Sequence, residues 1–196
     1  MSKGLLTVLI VLGVIVVSVF GFISWGSGIY DKAVRAQEEV NGAWANVQTM
    51  YQRRADLIPN LVASVKRASE NEKAILTQVT QARAGIVNAK TPEDLEIAGR
   101  QINTAINLAY EAYPEIKSNE NFRDLDVEIT GSENRISVAR TRYNEAVVEY
   151  NSYVRGFFKK WALGMFGGGE DFSVKKGFEA SAAAQDAPDV GKAFDK

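Results

Sequence analysis

This 196-residue chain contains no histidine, no cysteine and only 4 prolines. Without cysteine there is no disulfide framework, no thiol nucleophile and no N-terminal cysteine to carry a lipid. Without either residue type there is no Cys/His zinc site and no Ser-His-Asp triad. No imidazole is available to switch charge near neutral pH. A charge excess is missing too. The 23 Lys+Arg and 24 Asp+Glu leave a net −1, which argues against a nucleic-acid partner, since such proteins carry basic patches. Carboxylates, lysine and serine remain, so catalysis is narrowed and no enzymatic activity is expected. The acidic clusters Glu38-Glu39, Glu70/Glu72, Glu93-Asp94 and Asp124/Asp126/Glu128 lack the Asp-x-Asp-x-Asp-Gly spacing of a calcium loop. They also lack the Glu-x-x-His of a di-iron bundle. They read as solvated helix faces, and no cofactor or metal is expected.

What the chain does have is one long uncharged stretch, from Gly4 to Tyr30. Its core, Leu5–Trp25, rises about 32 Å as a helix, enough for a hydrocarbon layer of about 30 Å. Trp25 and Tyr30 stand at its downstream end, where amphipathic rings favour the headgroup layer. The rival is a cleaved signal peptide. The run is longer than the ~7–15 apolar residues of such a signal, although Gly26-Ser27-Gly28 offers a weak cleavage site. The expectation is a single-pass anchor at residues 1–30. Lys3 is the only charged side chain ahead of it, against Lys32 and Arg35 behind, so the positive-inside count is nearly tied.

The rest is periodic with the helical repeat. From Asp31 to about Ala89, apolar residues recur at steps of 3 and 4 (Val40, Trp44, Val47, Tyr51, Ile58, then on to Val79, Ala82 and Ile86), with misses at Arg54 and Glu72. Pro59 is the one breaker. Asp56–Pro59 is either a kink in one long helix or a corner at which Asp56 caps a new one. Thr91-Pro92-Glu93-Asp94 is a helix start, with a hydroxyl cap, a first-turn proline and two first-turn carboxylates. It opens a helix to about Ala112 whose inner face is Leu95, Ala98, Ile102, Ala105, Ile106 and Ala109. A last long helix begins near Asn119, with a stripe through Ile129, Ile136, Ala139, Tyr143, Tyr150, Val154 and Phe157. No alternating strand pattern occurs. The expected fold is all-α: an N-terminal transmembrane helix, then an elongated up-and-down bundle of three long or four helices over 31–157. Residues 158–196 read as an aromatic-basic segment, a Gly167-Gly168-Gly169 stop and a poorly ordered, alanine-rich tail.

Three polar or amphipathic sets stand out. Arg53, Arg54, Asp56 and Asn60 surround Pro59. Two guanidiniums could hold phosphate, a lipid headgroup or a partner carboxylate. The plainer reading is local repair of the proline break, with an arginine paired across the bundle. Asn134 and Arg135, with Arg140, Arg142, Tyr143, Asn144 and Glu145, form the second set. Tyr143-Asn144 recurs seven residues later as Tyr150-Asn151, which puts both tyrosines on one helix face and both asparagines on the next. Such a repeat suits an interhelical or intersubunit hydrogen-bond ladder, or simply a core with tyrosine hydroxyls at its edge. Third, Phe157, Phe158, Lys159, Lys160, Trp161 and Phe166 combine rings with two lysines. They suit either a membrane interface or a cover for the open end of the bundle.

Several runs resemble the LemA family: Asn41-Gly42-Ala43-Trp44, the stretch from Tyr51 to Val62, Glu133-Asn134-Arg135-Ile136, and Arg142-Tyr143-Asn144-Glu145-Ala146-Val147. The likeness spans roughly residues 28–166. It implies a bacterial helical bundle on an N-terminal anchor. Some relatives take part in forming magnetosome membranes. Others are lipoproteins, which tilts the expectation for the bundle towards the extracytoplasmic side of the inner membrane. The chain departs from the family after Arg155, where a Phe-Pro-x-Asn-Leu-type segment is usual.

Two functional expectations follow. The first is a non-enzymatic scaffold or interaction module in the bacterial envelope, with lipid, further copies of itself or another membrane protein as partner. The second is a protein that binds and remodels membrane surfaces through residues 157–166.

Overall fold

The computed structural model describes residues 3–63, 70–112, 120–167, 169 and 171–179. Among them all regular structure is helical: α1 Lys3–Ala63, α2 Glu70–Asn88, α3 Pro92–Ala112, α4 Glu120–Val154 and α5 Phe157–Phe166. The all-α bundle expected from the periodicity is the fold observed.

α1 is a single helix of 61 residues, roughly 90 Å long at its rise per residue. Every residue from Gly4 to Trp25 is exposed. This stretch reaches a mean hydropathy of 3.0 with 0% of it buried. By length and composition α1 is the one described helix able to cross a membrane. The first buried positions are Gly26, Ile29 and Ala33. The candidate membrane helix therefore runs without a break, through Gly26-Ser27-Gly28, into the first helix of the bundle.

Pro59 lies inside α1. There is no corner at Asp56–Pro59, and Asp56 caps nothing. Ala55 and Ile58 are fully buried there, so burial of the core face outweighs the single backbone donor that proline removes. The periodic run from Asp31 to Ala89 is nonetheless two helices, divided after Pro59 rather than at it. α2 returns antiparallel along α1. Gln48 Nε2 donates to the carbonyls of Ile86 at 3.2 Å and Ala89 at 3.3 Å, satisfying acceptors that the end of α2 leaves open. The reversal lies between Ala63 and Glu70, outside the described residues.

α3 begins where its start signal stands. Thr91 Oγ1 accepts from the Asp94 backbone N–H at 3.2 Å, and the Asp94 carboxylate accepts from the N–H groups of Lys90 and Thr91, each at 3.0 Å. This is a reciprocal capping box with aspartate as its acid. The Lys90 and Thr91 donors hold the Asp94 carboxyl below the usual carboxylate range. All six expected inner-face residues of α3 are buried.

α4 runs antiparallel to α1. Arg54 meets Glu133 at one end, and the Tyr153 hydroxyl donates to the Ile29 carbonyl at 3.2 Å near the other. Ile129, Ile136, Ala139, Tyr143, Val147, Tyr150 and Val154 are buried. Phe157 breaks the expected stripe. α4 stops at Val154, the chain turns through Arg155-Gly156, and Phe157 opens α5 with 84% of its surface exposed. α2 packs on α3, and α4 on α1. Among the described residues the backbones of α3 and α4 stay apart, which leaves a cleft above α1 bridged by side chains.

Candidate functional site

The Tyr-Asn repeat of α4 turns out to hold the chain's own C-terminal segment. Residues 171–179, expected within a poorly ordered tail, lie extended beside α4 and α1. Asn144 accepts from the Phe178 N–H at 2.8 Å and donates to the Phe178 carbonyl at 2.9 Å. One repeat later, Asn151 accepts from the Lys175 N–H at 2.9 Å and donates to the Lys175 carbonyl at 2.8 Å. Between them the Tyr143 hydroxyl donates to the Lys176 carbonyl at 2.9 Å. The spacing is matched by simple geometry. Seven helical residues rise about 10.5 Å, and three extended residues span about 10 Å. The segment therefore runs antiparallel to α4 and meets one asparagine per repeat.

Side chains close the two ends of this strap. Phe178 is buried, with its ring 6.2 Å from Trp44 and 5.5 Å from Tyr143, and the Arg140 guanidinium lies over it at 4.5 Å. Phe172 meets Tyr30 edge-on at 5.9 Å. Burial, followed by the nearby Glu93 carboxylate, raises the Tyr143 phenol above its ordinary range. Gly177 passes close to the clamp, since a Cβ there would lie 2.9 Å from Asn144 Oδ1.

Beyond Phe178 and Glu179 the groove widens into the cleft between α3 and α4, about 630 Å³, with Tyr51 and Arg54 of α1 among its lining residues. Arg54 sits at the position where the apolar stripe skips, and it is buried. Its Nη2 reaches the Glu133 carboxylate at 2.5 Å, while its Nε has no partner. Arg140 pairs with Glu96 at 2.6 Å across the cleft. Burial raises the Tyr51 phenol, an effect that Arg140 opposes. Arg54 with Glu133 and Arg140 with Glu96 thus form arginine–carboxylate pairs that bridge helices, and Arg100 and Glu179 also line the cleft.

At the far end, α5 lies against α1 where the apolar stretch meets the bundle. Phe22 is 6.1 Å from Trp161 and 5.5 Å from Phe166. Phe166 packs directly on Gly26, where a Cβ would collide with the ring. Ala162 and Leu163 are buried, whereas Phe157, Phe158, Trp161 and Met165 stay exposed.

The sequence-derived sites are therefore divided. In the first set, Arg54 makes the expected pairing across the bundle, and Asp56 pairs with Arg83 of α2 rather than capping. Arg53 is exposed. Asn60 is helical, but its side chain lies outside the described residues. In the second, Asn134 and Arg135 are exposed and stand apart from the strap, which Tyr143 and Asn144 grip. In the third, Tyr30 is half-buried under Phe172 and Trp25 is exposed 6.0 Å from Phe22. Lys159 lies over the Tyr153 ring at 4.0 Å, and Lys160 is exposed. Glu96 and Phe178 escaped the sequence reading as site residues, since neither stands in a motif or repeat, whereas Arg140 and Asn151 belong to the second polar set and its repeat.

A model of the LemA family matches residues 43–191. Protein LemA of Metamycoplasma hominis is 24% identical over 149 residues, which cover 74% of this chain and 67% of that protein. The family match takes in both the strap and the cleft.

Proposed function

The chain belongs to the LemA family, and from that premise we propose that it is a membrane-anchored, non-enzymatic scaffold that works by self-association or by holding a membrane-protein partner. The observation that carries this reading is α1 itself. One uninterrupted helix joins an exposed apolar stretch to the core face of the bundle, so whatever the bundle binds is held at a set distance from the anchor. The chemistry of the cleft supports it. Its buried arginine and its Arg140–Glu96 bridge serve interhelical pairing, and burial raises its Tyr51 phenol above the ordinary range. Sedimentation velocity of the full chain in mild detergent is expected to show mass rising with protein concentration. A strictly monomeric species throughout would count against self-association.

A second reading, binding to the membrane surface through α5, is favoured by one arrangement. Trp161, Phe157 and Phe158 are exposed on the helix that packs against Phe22 of the apolar stretch. With Trp25 and Trp44 replaced by phenylalanine, Trp161 fluorescence in reconstituted vesicles is expected to be quenched by brominated lipid, as for a ring at the headgroup boundary. An unquenched Trp161 would remove this reading.

A further inference from the structure

The strap is held in a way that a merely structural tail does not need. Four of its hydrogen bonds run between the Asn144 and Asn151 amides and strap backbone. A fifth joins Tyr143 to another strap carbonyl. None of the five reads a strap side chain, so the groove recognises extended main chain with little regard for sequence. Phe172 against Tyr30 and Lys176 beside Glu93 at 3.8 Å are less buried side-chain contacts, so selectivity rests chiefly on the ring socket formed by Trp44, Tyr143 and Arg140 around the buried Phe178. Backbone pairing with pockets for chosen side chains is how extended peptides are recognised in general.

We infer that the α1–α4 groove is a binding site for an extended polypeptide bearing one aromatic anchor, that residues 171–179 are its ligand in cis, and that the same segment from a second copy is its ligand in trans. Three observations point to a second copy. Its segment reproduces every contact of the cis strap, so exchange loses no interaction, and such swaps are a low-cost route to dimers. The strap is joined to α5 through Gly167-Gly168-Gly169, and Gly169 adopts φ +93°, a left-handed conformation that glycine tolerates at no steric cost. Every copy carries the same exposed apolar stretch at α1, and two copies tethered in one membrane face each other at raised effective concentration. This inference rests on the scaffold reading and gives self-association a surface.

The absence of cysteine allows a direct test on the full chain in nanodiscs or mild detergent. Arg155 and Ser173 are both exposed and flank the Asn151 clamp, one on the helix side and one on the strap. A doubly substituted chain, Arg155→Cys with Ser173→Cys, reports the cis strap as an intrachain bis-maleimide link. Mixing the two singly substituted chains reports exchange, since only a trans strap links them. The expected result is an interchain link that grows with protein concentration. Asn144→Ala with Asn151→Ala should cut the intrachain and interchain links alike, each by roughly tenfold or more at about 1 kcal/mol per lost hydrogen bond, because a cis and a trans strap lose the same four hydrogen bonds. An excess of synthetic peptide with the sequence of residues 171–179 should suppress the link in the chains with intact asparagines. The same peptide with Phe178→Ala should not. The peptide arm needs no destabilised variant. Intrachain links alone at every concentration would overturn the inference, as would an interchain link indifferent to peptide and asparagines. Oligomers in sedimentation without this link would leave the scaffold reading standing and remove only the strap as its surface.

Discussion

Tyr150→Ala is expected to destabilise the bundle by about 3–5 kcal/mol, the range for deleting a large buried aromatic side chain. Tyr150 is 0% exposed and is the largest fully buried side chain among the described residues. It lies on α4 facing α1, and its hydroxyl donates to Gln37 Oε1 at 3.2 Å. The alanine variant loses ring burial and leaves a cavity between the two long helices. It also strips Gln37 of a partner. Tyr150→Phe keeps the packing and loses the hydrogen bond, a change of about 1 kcal/mol. Urea titration followed by helical circular dichroism in detergent separates them. The midpoint should fall sharply for alanine and slightly for phenylalanine, with the slope unchanged. Equal midpoints for the two variants would show that the ring is not what joins α1 to α4.

The second large effect concerns the strap. Phe178→Ala is expected to free residues 171–179 while leaving the helices folded. The ring is buried against Trp44, Tyr143 and Arg140, and truncating a buried phenylalanine costs about 3 kcal/mol or more. Two tryptic sites, Lys175 and Lys176, lie within the held segment. When opening is fast relative to cleavage, proteolysis follows the population of the open form. Cleavage there should accelerate roughly a hundredfold, the factor that about 3 kcal/mol corresponds to. Cleavage elsewhere in the chain should change little. An unchanged rate at Lys175 and Lys176 would mean that the asparagine clamps hold the strap without the ring.

How much of this was legible beforehand depends on the range of the interaction. The start of α3 was readable to the residue, because Thr91 and Asp94 satisfy backbone donors three and four positions away. Its inner face was readable for the same reason, since period 3.6 in sequence becomes one face in space. At Pro59 the sequence left kink and corner open. The choice fell to the burial of Ala55 and Ile58, which depends on what packs against them. Arg54 looked like a gap in the stripe. It occupies the stripe, and its charge is answered by Glu133, 79 positions along the chain.

The Tyr143-Asn144 and Tyr150-Asn151 repeat marks the boundary between the two kinds of knowledge. Its seven-residue spacing placed both asparagines on one face of one helix, and the all-α class, the apolar stretch and the helix start at Thr91 are local features of the same kind. What the asparagines hold was beyond local reasoning, because their partners lie 24 and 34 positions downstream in a segment with no periodicity of its own. An extended strap has no internal hydrogen bonds to announce it. It becomes ordered only where a folded surface supplies donors, acceptors and a ring socket at matching intervals, and that surface exists once α1 and α4 have packed side by side.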